Sequence, residues 1–191
     1  MNIVLAVVLA VIVVAALVAL GVWLGFWWSS RRRRTTRLRE QFGPEYSRAV
    51  DQYGSAGRAE EALTARTARV VRLHIKSLSP DESRRYATEW RKVQSRFVDD
   101  PQGSIGEADR LVHDVMQARG YPMGEFEQRA ADVSVDHPRV VEHYRAAHAV
   151  AGRASRDGTE TEEMRQAMVH YRALFDELIE TREPVRQEVH S

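Results

Sequence analysis

The sequence predicts an all-α protein: an N-terminal transmembrane helix followed by an irregular antiparallel bundle of about seven helices. Three observations carry that prediction. The run from Ile3 to Trp28 contains no charged side chain. Through nearly all of the rest, apolar residues recur at spacings of three and four, which places them on one helical face. Between those stripes stand prolines, glycines and cap-forming serines and aspartates, the punctuation of helix ends.

Composition bounds the function classes. A chain of 191 residues suits one domain, two at most. Cysteine is absent, which excludes a disulfide-stapled fold, a thiol nucleophile and a cysteine-ligated metal centre. From Thr35 onward 24 basic residues face 27 acidic ones, once Arg31–Arg34 are set aside from the 28. A slightly acidic body argues against a nucleic-acid partner, which calls for a basic face.

The N-terminal run is long enough to be a membrane anchor. Ile3–Val22 is 20 residues, which at ~1.5 Å per residue covers a hydrocarbon core of ~30 Å. Trp23, Phe26, Trp27 and Trp28 then fall at an interface, where aromatic rings with a polar edge prefer to lie. Only Met1 and Asn2 precede the run, and bulky Trp27-Trp28 occupies the place of a cleavage site. It therefore reads as a retained span rather than a signal peptide. Gly21 and Gly25 are spaced for close helix pairing and predict a homodimer contact. Arg31, Arg32, Arg33, Arg34, Arg37 and Arg39 follow on one side only. That bias predicts an outside N-terminus and a cytoplasmic body, with the arginines on anionic lipid headgroups. The organisation predicted is residues 1–29 as anchor, 30–41 as polybasic juxtamembrane segment, 42–182 as cytoplasmic helical domain and 183–191 as flexible tail.

Next comes a stripe of Leu38, Phe42, Tyr46, Val50 and Tyr53, interrupted at Gly43-Pro44, where a kink or fresh start is expected. Gly54 to Gly57 is a break. Arg58–Leu73 reads as the next helix, with Ala59, Leu63, Val70 and Leu73 facing one way. Residues 72–76 alternate briefly and read as a short extended piece. Ser79-Pro80-Asp81-Glu82 is a capping box that opens a helix striped by Tyr86, Trp90, Val93 and Phe97. Asp99-Asp100-Pro101 opens another, carrying Ile105, Ala108, Leu111, Val112, Val115 and Met116 to a Gly120 cap. Phe126, Ala130 and Val133 mark a short helix. Asp136-His137-Pro138 opens one with Val140, Val141, Tyr144, Ala147, Val150 and Ala151, ended by Asp157-Gly158. Thr159 and Glu162 form a second capping box before Met164, Met168, Tyr171, Leu174, Phe175 and Leu178.

Little in this pattern carries chemistry. No histidine follows an acidic residue at the Glu-x-x-His spacing, and no His-x-x-x-His pair exists, so no metal site and no cofactor are expected. Asp109 and His113 share a face. Phosphate-loop, dinucleotide and nucleophile-elbow motifs are absent. The polar residues on or near the stripes are Arg119, Asp132, Asp136, His137, Arg145, His148, His170 and Arg172. They serve either as buried ion pairs and caps or as a ligand or partner site.

Several segments carry a resemblance: Phe97–Pro101, Arg119–Pro122, Phe126–Asp132, Ser134–Pro138 and Met164–Arg172. Over roughly residues 34–180 the chain resembles an uncharacterised family of bacterial proteins, frequent in actinobacteria, with one N-terminal hydrophobic segment and a helical body. The resemblance implies a bacterial plasma membrane and supplies no catalytic residue. The function expected is a non-enzymatic, membrane-tethered scaffold for an unidentified protein partner. The alternative is a sensor of a small anionic or aromatic ligand, bound near Arg119, Arg145, His148 and His170.

Overall fold

A computed structural model describes residues 18–21, 23, 32–154 and 159–180. Regular structure among them is helical throughout, with no strand. The chain divides into two compact units, Met1–Glu40 and Gln41–Ser191.

In the first unit, residues 18–21 and 23 are helical, and so are 32–40. Val18, Leu20 and Trp23 are exposed. Among the described residues no helix is long and apolar enough to cross a membrane. The expected span lies outside them except for 18–21, as do Gly25, Phe26, Trp27, Trp28 and Arg31. Arg32, Arg33, Arg34, Arg37 and Arg39 are exposed along their helix.

Among the described residues the second unit has seven helices: α1 Pro44–Tyr53, α2 Ala56–Val71, α3 Pro80–Arg96, α4 Pro101–Arg119, α5 Phe126–Asp136, α6 Val141–Ala154 and α7 Thr161–Ile179. Their ends follow local chemistry. Gly43 takes a positive φ of 49° and Pro44 sits in the first turn of α1, so the helix restarts there. Ser55 caps α2 by accepting from the Arg58 amide. At α3 the Ser79 side chain accepts from the Glu82 amide and the Glu82 carboxylate accepts from the Ser79 amide, the reciprocal pair predicted. Asp100 caps α4 through the Gly103 amide, and Gly120 closes it at φ 96°.

The fresh start expected at Gly43 is present, although the face it buries differs, and four other boundaries depart from expectation. The restart at Gly43 rotates the stripe, so α1 buries Glu45, Tyr46 and Ala49, while Tyr53 is exposed. Helix α2 begins two residues early, taking Gly57 into its first turn. Residues 72–74 turn instead of extending, because the Lys76 amide donates to the Arg119 carbonyl (2.9 Å) and folds the loop against the end of α4. His137 ends α5, and the next helix starts only at Val141. At α7 the N-cap is Glu160 with no side-chain bond, and the buried Thr159 hydroxyl finds no partner among the described residues. Residues 155–158 and 181–191 lie outside the description, and with them the Asp157-Gly158 stop and the expected tail.

Packing sorts these helices into two groups. Helices α3–α7 share one apolar core with Trp90, Ile105, Val112, Tyr144, Tyr171 and Phe175 among its members. Trp90 stacks on Phe175 with ring centroids 4.6 Å apart. Helices α1 and α2 pack on each other, and α2 lies along α5. The hairpin's buried Phe42, Tyr46, Ala49, Ala59, Leu63 and Val70 are not part of the larger core.

Candidate functional site

One polar cluster lies between α4, α5, α6 and α7. Asp109 sits one helical turn before His113 on α4, the one acid–histidine pairing visible in the sequence. The Tyr171 hydroxyl donates to Asp109 (2.7 Å). His148 Nδ1 faces the same carboxylate oxygen at 3.3 Å, and its ring stacks on Phe126 with centroids 3.8 Å apart. Burial alone would raise the Asp109 pKa, but the bonds from His148 and Tyr171 outweigh it and hold the carboxyl below the ordinary range. Burial and the neighbouring carboxylate push the Tyr171 phenol up. Tyr144 completes the chain of contacts. It accepts from Arg129 Nε (2.9 Å) and stands 3.2 Å from His113 Nε2. Burial raises the Tyr144 pKa to about 12 and lowers that of His113. Because the Tyr144 oxygen already accepts from Arg129, its own proton is free to be donated to His113 Nε2. The Asp109 carboxylate can only accept, so His148 Nδ1 is the donor of that contact and the ring is held in one orientation.

A second cluster surrounds Arg119, which is almost fully buried. Its Nε donates to the Lys76 carbonyl (3.2 Å) and its Nη1 to the Leu178 carbonyl (3.1 Å). The latter is one of the unpaired carbonyls that every helix leaves at its C-terminus. Nη1 also lies 3.3 Å from His137 Nε2, and His137 Nδ1 lies 3.3 Å from Glu177. Burial, then the Arg119 charge, lowers the His137 pKa. Asp136 accepts from the Tyr121 hydroxyl (3.0 Å). The cluster ties the 72–79 loop, α4, α5 and α7 together.

The third cluster joins the hairpin to the body. Glu45 on α1, 2% exposed at its side chain, lies 3.4 Å from Arg66 and 3.5 Å from Arg145 of α6. Arg66 also donates to Ser134 Oγ of α5 (3.0 Å). Arg69 pairs with the fully buried Asp132 at 3.2 Å. Arg145 reaches Glu127 at 3.5 Å, and so does Arg48 at 3.8 Å. Burial raises the Asp132 pKa against the opposing pull of Gln128, Arg69 and Arg66.

The polar residues predicted from sequence thus do not converge. Arg119, Asp136 and His137 share one cluster, Arg145 and Asp132 belong to the hairpin seam, and His148 belongs to the Asp109 network. His170 meets His143. Arg172 stands apart on the surface, paired within α7 to Asp176. Sequence reasoning missed Glu45, Arg66, Arg129 and Tyr171 as members, because their partners lie far along the chain. A shallow groove of about 450 Å³ beside α3 and α4 is lined by Arg85, Tyr86, Glu89, Leu111, Asp114 and Gln117, none of them expected from sequence as a site residue. Among the described residues no group of three or more metal-ligating side chains converges. Comparison with known proteins finds no match to a family model, a curated protein or a solved structure.

Proposed function

We propose that the chain is a membrane-tethered helical interaction module without chemistry of its own, anchored in a bacterial plasma membrane through residues 1–29 with its body in the cytoplasm. The observation that carries this reading is the joint between hairpin and body. Elements that stay together for life bury apolar surface against each other, as α3–α7 do. The α1–α2 hairpin instead meets the body through Glu45, Arg66, Arg145, Arg69 and Asp132. Buried ion pairs give little net stability because desolvation offsets their attraction. A charged partner surface therefore competes for this joint on nearly equal terms. The hairpin directly follows the arginine-rich helix in sequence, so headgroup binding and exposure of the seam are close along the chain. The layout of the resembling family, one hydrophobic segment and a helical body, supports the same reading.

Proximity labelling in cells tests it with the full chain and a Glu45→Lys variant, both recovered from the membrane fraction. A neighbour set that changes with the seam supports the module; identical sets argue against it. Topology is tested separately. The chain has no cysteine, so a thiol at Asn2→Cys or Ser191→Cys is the only one present. With an impermeant reagent on intact cells, Asn2→Cys should label and Ser191→Cys should label only after lysis.

A second reading, a small-ligand sensor, is favoured by His148, whose side chain is 35% exposed beside Asp109 and stacked on Phe126. A melting temperature that rises with an anionic aromatic compound, and does so less in His148→Gln, would favour it.

A further inference from the structure

His143 on α6 and His170 on α7 bring their Nδ1 atoms to 2.8 Å, with ring centroids 4.7 Å apart and ring planes 22° from parallel. We propose that this pair is a two-histidine site for a late first-row divalent cation of the zinc class, with water filling the remaining positions. Nothing in the sequence pattern points to it, because the two residues sit 27 positions apart and neither follows an intrahelical metal spacing.

The geometry is set by the core rather than by the two rings. His143 immediately precedes Tyr144 and His170 immediately precedes Tyr171, and both tyrosines are wholly buried. Each imidazole is therefore carried on backbone that packing holds in place, while the rings themselves are half-buried at the seam. Two nitrogens at hydrogen-bond distance require one to donate and the other to accept. The contact consumes one proton and leaves a lone pair directed at the same point.

For a metal ion to take both Nδ1 lone pairs, the donating ring adopts its other neutral tautomer, its proton moving through water from Nδ1 to Nε2, so that both rings bind as neutral imidazoles and no proton is lost from the pair. Zinc binds imidazole nitrogen at ~2.0–2.1 Å, which sets two nitrogens of a tetrahedral site about 3.3–3.4 Å apart. Reaching that from 2.8 Å takes about half an ångström of side-chain rotation and no helix movement. Neutral imidazole selects zinc, copper or nickel over magnesium or calcium, which take oxygen ligands. Two protein ligands leave the coordination sphere open.

The test is calorimetric titration of the untagged full chain in detergent with zinc chloride. The wild type should show one saturable high-affinity step. His143→Gln and His170→Gln should each lose that step while keeping wild-type helical circular dichroism, and His74→Gln, exposed in the turn after α2, should retain it. In the unsubstituted protein, two histidine Nδ1 resonances should move together as zinc is added. No saturable step in the wild type, an unchanged isotherm in both α6–α7 variants, loss of the step in His74→Gln, or movement of other ring nitrogens instead would overturn the proposal and leave a proton-sharing contact only.

Discussion

The α1–α2 hairpin and the α3–α7 body belong to one compact unit and are equally helical, yet they are held by different physics. The body is joined by a continuous apolar core, non-directional and roughly proportional to the area removed from water. The hairpin keeps its own small set of buried apolar residues and meets the body through a charged seam at Glu45 and Asp132. The difference teaches where this protein yields first. Salt and competing charges act on a seam of ion pairs, whereas volume changes act on a close-packed core.

The largest expected effect is on the body. Trp90 is buried at 4% exposure and stacks on Phe175, so Trp90→Ala should cost about 3–5 kcal/mol. A melt unshifted from wild type would break the idea of one body core. Trp90→Phe should cost far less, since it keeps a ring and removes an indole N–H that has no acceptor among the described residues.

The seam comes next. Glu45→Ala leaves Arg66 and Arg145 without their shared partner, at a cost of about 3 kcal/mol, near the lower end for an orphaned buried charge. Proteolysis within α1–α2 should rise while α3–α7 stays protected. Equal protection of both regions would show that the hairpin is as firmly joined as the rest.

Acid should separate the regions by sign. His113 and His137 are held below 6.5 by burial, so the folded state binds fewer protons than the unfolded one. The stability they contribute is present above the unfolded value and is lost as pH falls below 6.5 toward their folded values. Asp109, held below 3.8, adds a further loss at lower pH. Asp132 runs the other way. Its pKa is raised above 3.8, so protonation on acidification relieves a buried charge and favours the folded seam. Melting at pH 7.5 and 5.5 should show a net loss that shrinks in His137→Gln, and Asp132→Asn should remove the opposing gain on further acidification. A pH-independent melt over that range would contradict the histidine prediction, and an Asp132→Asn variant that keeps the gain below pH 5.5 would contradict the other.

Local changes should register least. Ser79→Ala removes the α3 cap, worth about 1 kcal/mol, and should lower the melting temperature slightly. Arg172→Ala breaks only an exposed pair within α7 and should be indistinguishable from wild type by the same measurement. A large effect there would mean that the α7 surface is covered.

Much of the fold was legible because its determinants are local. The stripe Met164, Met168, Tyr171, Leu174, Phe175 and Leu178 is buried as its spacing predicts. The Ser79 box and the Gly120 cap need only a few consecutive residues to specify them. Thr159 failed as a cap although its spacing to Glu162 was right, because the chain turns one residue later and leaves its hydroxyl without a partner among the described residues. Glu45 was read past for a related reason. The fresh start expected at Gly43-Pro44 does occur, but the spacing alone does not give the angle by which the positive φ at Gly43 turns α1, and that angle is what carries Glu45 inward. The candidate site was less legible: eight polar residues were singled out, and the fold distributes them among separate clusters.

The sequence by itself determined the helical class, the position of most helices, the apolar face of each and the polarity change at residue 30. Each of these depends on periodicity, capping and composition, which act over a few residues. Only the tertiary structure decided which polar groups meet. Asp109 with Tyr171, Arg119 with Leu178, Glu45 with Arg145 and His143 with His170 are separated by 27 to 100 positions. Such pairs form because the apolar faces fix where each helix lies, and the charges then find the partners that burial leaves within reach.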